Sequence, residues 1–177
     1  SAYKAVVRSR FIVVLGLLMS MATVIMYYFN GFAPLIAARY ANISASVFGR
    51  WVIIASLGLF VGALLSSVLS KRFSARLCAA VGLFFMSLGA GCLAATLMCL
   101  SVSIFALLAP AFLIFLGAAI VIPNASMAAI TYSSDRATTS ASINSVALLL
   151  SAIVVSVGGQ FIHFGPMMLP VFILALC

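Results

Sequence analysis

Apolar residues run along this chain in stretches too long and too continuous for a soluble fold. About 20 apolar residues carry a helix across roughly 30 Å of hydrocarbon. Runs of that order predict helices over Phe11–Ala38, Val47–Leu69, Leu77–Met98, Ser103–Thr131 and Ala137–Phe161, with a sixth opening at Met167 and reaching Cys177. The links are short and polar or basic: Arg39 to Ser46, with Ser44 and Ser46 as N-cap residues; Ser70 to Arg76; Cys99 to Val102; Ser133 to Arg136; and His163 to Pro166. The tight third link makes helices three and four antiparallel neighbours. Gly31 and Pro34 predict a bent or loosened end to helix one, and Pro110 and Pro123 predict interruptions of helix four. Eleven residues of helix rise only about 17 Å, so the sixth run reads as a partial span and the chain as a fragment. Strands of a barrel would alternate polar and apolar positions over about ten residues, and these runs do not.

Composition sharpens this. Of 177 residues, 67% are hydrophobic and 6% charged, against about 25% charged in soluble domains. A soluble domain, a disordered chain and a secreted disulfide scaffold are excluded, and the fold class is an all-α membrane bundle of six helices in one unit, residues 1–177. Nine Lys and Arg face a single acid, Asp135, for a net charge of +8. These cations sit between the apolar runs, which fits topology signals better than a nucleic-acid surface. With the N-terminus cytoplasmic, that side collects Lys4, Arg8, Arg10, Lys71, Arg72, Arg76 and Arg136, and the outer side only Arg39 and Arg50. No cleavable signal peptide is expected.

Small residues recur at helix-packing spacing: Gly58 and Gly62 with Ser66, Gly89 and Gly91, and Gly158 and Gly159. Cys78, Cys92, Cys99 and Cys177 have no metal or redox spacing and read as small buried hydrophobes. No phosphate loop, dinucleotide fingerprint or nucleophile–base pair occurs, so no enzyme, cofactor or metal is expected.

The stretch from Gly62 through Ser70-Lys71-Arg72-Phe73 to Arg76 resembles the loop motif of the major facilitator superfamily, in a degenerate copy with Lys71 at the acidic position and Ser74 at the second glycine. Gly117 to Pro123-Asn124-Ala125, followed by Asp135-Arg136-Ala137-Thr138-Thr139-Ser140-Ala141-Ser142, is similar to the Bcr/CflA drug-resistance group, with Thr138 at a usual glycine. Tyr28 to Pro34 and Ser46-Val47-Phe48-Gly49 resemble other segments of that group. The resemblance implies the C-terminal six-helix half of a proton-coupled exporter of lipophilic or amphipathic molecules in a bacterial inner membrane. That half is an inverted repeat of three helices and three. Its implied partners are the lipid bilayer, the small-molecule substrate and a missing N-terminal half. A homodimeric half-transporter or scaffold, or an uptake permease, are the alternatives.

Within the spans, polar and aromatic positions mark a candidate substrate pathway. Tyr27 and Asn30 share a face by their spacing, as do Asn124 and Met127, and Asn144 lies two turns into helix five. An unpaired Asn in hydrocarbon is costly, so each faces protein or a water-filled cavity. Asn30-Gly31 with Pro34, and Pro123-Asn124, occupy matching places in helices one and four and read as gates or hinges at opposite ends of the pathway. Arg50, near the outer boundary, is a gate contact or a snorkelling side chain. Lys71, Arg72 and Arg76 form the cytoplasmic loop motif. Asp135 lies in a loop with Arg136 as the expected partner, His163 reads as a turn residue, and no acid lies inside a span. Proton coupling therefore falls to the other half.

Overall fold

The computed structural model describes residues 10–99, 102–131, 135–161 and 165–177. The expectations for Lys4, Arg8, the Leu100–Ser101 link, Ser133, Ser134 and His163 lie outside them. The described residues fold into α1 (Arg10–Ala41), α2 (Ala45–Trp51), α3 (Ile53–Arg72), α4 (Ala75–Cys99), α5 (Ile104–Thr131), α6 (Arg136–Phe161) and α7 (Met168–Leu176), with no strand among them. Five helical stretches are long and apolar enough to cross a membrane: 12–41, 45–72, 75–99, 104–131 and 136–160. This is the build of a multi-pass helical membrane protein.

Local chemistry sets the ends. Ser44 accepts a hydrogen bond from Val47 N–H at 3.4 Å and caps α2. Asn42 takes the left-handed φ of 54° just past α1, and the next N–H, from Ile43, reaches back to the Ala37 carbonyl at 3.1 Å. That turn ends α1, three residues beyond the expected boundary. Ser74 accepts from Leu77 N–H at 3.5 Å at the start of α4. The second predicted helix is two in the structure, α2 and α3, parted at Val52 alone, a position that carries no breaker residue.

The prolines do not interrupt their helices. Pro34 lies inside α1, and Pro110 and Pro123 lie inside an unbroken α5. Proline withholds one N–H from the carbonyl four residues earlier, and a neighbouring donor can repair the loss. Such a donor serves Pro110: the Thr96 hydroxyl of α4 lies 3.1 Å from the freed Ala106 carbonyl.

α5 is the central helix. It packs on α4, α3 and α1, while α6 packs mainly on α1, and α7 lies along α4 and α1. Burial follows this order: the α5 span is the most enclosed and the α1 span the next, while α2–α3 and α6 are mostly at the surface. Close approaches give the directions. Gly58 and Gly62 face Phe112 and Leu116 in turn, so α3 runs parallel to α5. Gly82 and Gly89 face Val121 and Ile114 in reverse order, so α4 runs antiparallel to α5. Gly16 faces Ile143 and Gly31 faces Val155, so α6 runs parallel to α1.

The α3–α5 seam is built from small residues. A Cβ at Gly58 would stand 2.2 Å from the Phe112 carbonyl oxygen, and one at Gly62 would stand 2.4 Å from that of Leu116. Lipid offers no hydrophobic drive between helices, so this close contact supplies the dispersion and polar contacts that hold α3 in place. Gly89, Gly158 and Gly159 are also at packed contacts, whereas Gly91 has open space. Of the cysteines only Cys78 is buried; Cys92 is half-buried, and Cys99 and Cys177 are exposed at helix ends.

Candidate functional site

Tyr27 and Asn30 lie on one face of the second half of α1, as their spacing requires, and that face is open: both are exposed, with Gly31 beside them. Alongside runs α6. Between the two helices a groove of about 380 Å³ is lined by Tyr27, Leu148, Ser151, Ala152, Val155 and Ser156. Along α6 the exposed positions Ala141, Asn144, Ser145, Ala152 and Ser156 are small or polar, with the large apolar Leu148 among them. A neighbouring stripe, Leu149, Ile153 and Val157, is bulky and apolar. One flank of α6 is therefore the more polar of the two. Pro34 adds to the polar side, because it has no N–H to give the Asn30 carbonyl one turn below. The Ser151 hydroxyl donates to the Ala147 carbonyl at 2.7 Å, and the Asn144 amide to the Ser140 carbonyl at 3.0 Å.

The expected pair on α5 is divided. Met127 is 63% exposed, whereas Asn124 is 8% exposed and its amide donates to Ser66 Oγ of α3 at 2.8 Å and to the Ile120 carbonyl at 2.8 Å. Asn124 thus ties α5 to α3 through the seam of small residues and presents no free amide to an open cavity. Pro123 is exposed beside Met127. These residues lie toward the α1 start of the bundle, where Ile12, Leu15 and Met19 pack against Ala125 and Ala129. Tyr27 and Asn30 lie further toward the other end, on either side of the level where Phe29 meets Phe115 at 5.6 Å. The two groups do not form one site.

The charged residues are at the helix ends. Arg50 is exposed in α2, and Arg39 lies over the Tyr40 ring at 5.8 Å. Lys71, Arg72 and Arg76 are exposed where α3 passes into α4, at the opposite end. Asp135 directly precedes α6. Its carboxylate accepts the Thr138 hydroxyl at 2.5 Å and the Thr138 N–H at 3.1 Å. The hydroxyl bond first, and the backbone bonds after it, hold the Asp135 carboxyl below its ordinary range. Among the described residues no three His, Cys, Asp or Glu side chains gather in a way that would hold a metal.

Two features were outside the sequence reading. Ser145 and Ser156 of α6 belong to no motif, although their spacing with Ala141 and Ala152 marks one helix face. Tyr28 is fully buried, stacked on Phe172 with centroids 4.5 Å apart, and its hydroxyl has no hydrogen-bond partner among the described residues. No sequence signal separates it from the exposed Tyr27. Comparison of the chain with protein families, with curated proteins and with solved structures gives no match.

Proposed function

We propose that this chain is one six-helix half of a secondary transporter, exporting lipophilic or amphipathic small molecules by proton antiport through alternating access. The observation that carries the reading is the open flank of α1 and α6. Tyr27, Asn30, Ser145 and Ser156 stand exposed together on the flank that α1 and α6 share. Polar groups at membrane depth belong against protein or a water-filled cavity. A second half facing this flank would close such a cavity, with aromatic and small polar groups on its wall.

The helix arrangement supports the same reading. Exchanging α1, α3 and α4 for α5, α6 and α7 keeps the principal pairings: α3 on α5 becomes α6 on α1, and α4 on α5 becomes α7 on α1. Each direction reverses and each parallel pair stays parallel. Inverted three-helix repeats have this property, and they are the usual build of alternating-access carriers. The basic end at Lys71, Arg72 and Arg76 then faces the cytoplasm of a bacterial inner membrane. No acid lies in a span, so the coupled proton binds on the facing half.

Cysteine accessibility tests the reading. In a background free of native cysteine, Asn30→Cys and Ser156→Cys are expected to react with a membrane-impermeant cationic thiol reagent. Leu57→Cys and Ile153→Cys, on lipid-facing stripes, are expected not to. Tetraphenylphosphonium, a lipophilic cation, should slow the first pair. Equal inertness at all four positions would remove the aqueous flank and the transport reading with it.

A further inference from the structure

The outer surface of α2 and α3 carries a measure of the bilayer. Between Arg50 and Lys71 the sequence holds no charge. At about 1.5 Å per residue that stretch rises about 30 Å, which is the thickness of the hydrocarbon layer itself. Val52 parts the two helices without interrupting the rise. Its N–H reaches the Phe48 carbonyl at 2.9 Å, and its carbonyl accepts from Ser56 N–H at 3.1 Å. The large exposed side chains between these limits, from Ile53 through Leu57, Phe60 and Leu64 to Val68, are all apolar. The exposed hydroxyls of Ser56, Ser67 and Ser70 donate to backbone carbonyls one turn earlier, at 3.3, 2.7 and 3.3 Å. They therefore ask no partner of the lipid.

Aromatic rings stand at both limits. Trp51 is exposed and meets Phe105, exposed in the first turn of α5, edge to face with centroids 5.3 Å apart. Phe73, also exposed, follows Lys71 and Arg72 at the opposite end. Trp51 and Phe105 keep the register that sets Gly58 on Phe112 and Gly62 on Leu116, so the pair marks one level across two helices. Tryptophan, with an apolar body and a polar N–H, collects where headgroups meet hydrocarbon. Long cationic side chains beside it keep their stems in the apolar layer and their charge outside. We propose that the Trp51–Phe105 pair sits at one headgroup boundary and Phe73 at the other, so that this surface is fitted to a bilayer with about 30 Å of hydrocarbon. Phe115 then lies about 15 Å below Phe105, at the bilayer centre, and Phe29 lies beside it. The flank of Tyr27 and Asn30 falls at that depth, where carriers hold substrate, although the placement itself does not rest on the transport reading.

Trp51 is the only tryptophan of the chain, so its fluorescence reports this level alone. The purified chain is placed in vesicles of phosphatidylcholine brominated near the headgroup end, at the middle or near the methyl end of its acyl chains. Bromine quenches indole by contact. Quenching of Trp51 is expected to be strongest with bromine nearest the headgroup and to fall in order toward the methyl end. Phe73→Trp in a Trp51→Phe background is expected to give the same order. Phe60→Trp in that background, about 14 Å from Trp51 along the same surface, is expected to reverse it. Circular dichroism confirms that each variant is folded, and Trp51 itself is read in the unaltered chain. Quenching of Trp51 that is strongest at the methyl end overturns the proposal, as does one common order at all three positions. Quenching of Trp51 by aqueous iodide and by no brominated lipid would place that end clear of the bilayer, and overturns it as well. An inert Asn30→Cys would leave these depths standing, and wrong depths would leave its reactivity standing, so placement and transport fail separately.

Discussion

The seam between α3 and α5 can be broken with a single methyl group. In Gly62→Ala, the new Cβ would stand 2.4 Å from the Leu116 carbonyl oxygen and 2.9 Å from the Ala119 Cβ. Close carbon–oxygen contacts fall at about 3.3–3.6 Å, so α3 has to withdraw by roughly 1 Å. It cannot withdraw at one residue alone: Gly58 sits against Phe112 one turn earlier, and Ser66 is 2.8 Å from the Asn124 amide one turn later. Overpacking of this kind costs about 1–3 kcal/mol, and stretching the Ser66–Asn124 bond adds about 0.6 kcal/mol. The better helix propensity of alanine returns at most about 1 kcal/mol. The net expectation is a loss of about 0.6–3.6 kcal/mol. Gly91→Ala is the matched control, because a Cβ there meets nothing within 4 Å; it is expected to be neutral or to gain up to about 1 kcal/mol. Reversible unfolding of both variants in mixed micelles with increasing dodecyl sulfate, followed by circular dichroism, measures the difference. If Gly62→Ala proves as stable as Gly91→Ala, α3 does not rest on the α5 backbone, and the packing order described above is wrong.

The Ser66–Asn124 bond makes a second prediction. In a double-mutant cycle of Ser66→Ala and Asn124→Leu, the same unfolding assay is expected to return a coupling of about 0.6 kcal/mol, and no more than about 1.7; zero coupling would deny the bond. Asp135 makes a third. Its carboxyl is held low in the fold by Thr138, so its stabilisation of the α6 start is fully present above the ordinary unfolded pKa and is lost as pH falls through the lower folded value. The wild type is expected to lose α6 amide protection on acidification through that window, and Asp135→Asn to show no such step by hydrogen exchange. A step that survives in Asp135→Asn would assign it elsewhere.

The spans were legible in the sequence because the bilayer fixes their length, and length needs no knowledge of neighbours. What the neighbours decide was not legible. Pro110 reads as an interruption until Thr96, on another helix, is seen to sit beside the carbonyl it frees. Asn124 and Met127 have the spacing of face-mates, yet they fall on either side of the boundary where α3 covers α5, so one is tied to Ser66 and the other is exposed. Tyr27 and Tyr28 are adjacent and chemically identical, and only the passage of α6 and α7 over one of them separates a groove wall from a buried stack. In a soluble helix, polarity would have marked the inner face. Here nearly every position is apolar, and size takes over that role. α3 turns Ala55, Gly58, Gly62 and Ser66 inward and leaves Phe60, Leu64 and Val68 outside. The buried face of such a helix is its smallest one, because the contact that lipid cannot supply is the close approach of two backbones. The same rule applied to α6 selects Ala141, Ser145, Ala152 and Ser156, which share a face with Leu148, but in this bundle that face is exposed. A face built for close approach and left open is the physical reason for seeking a second half there.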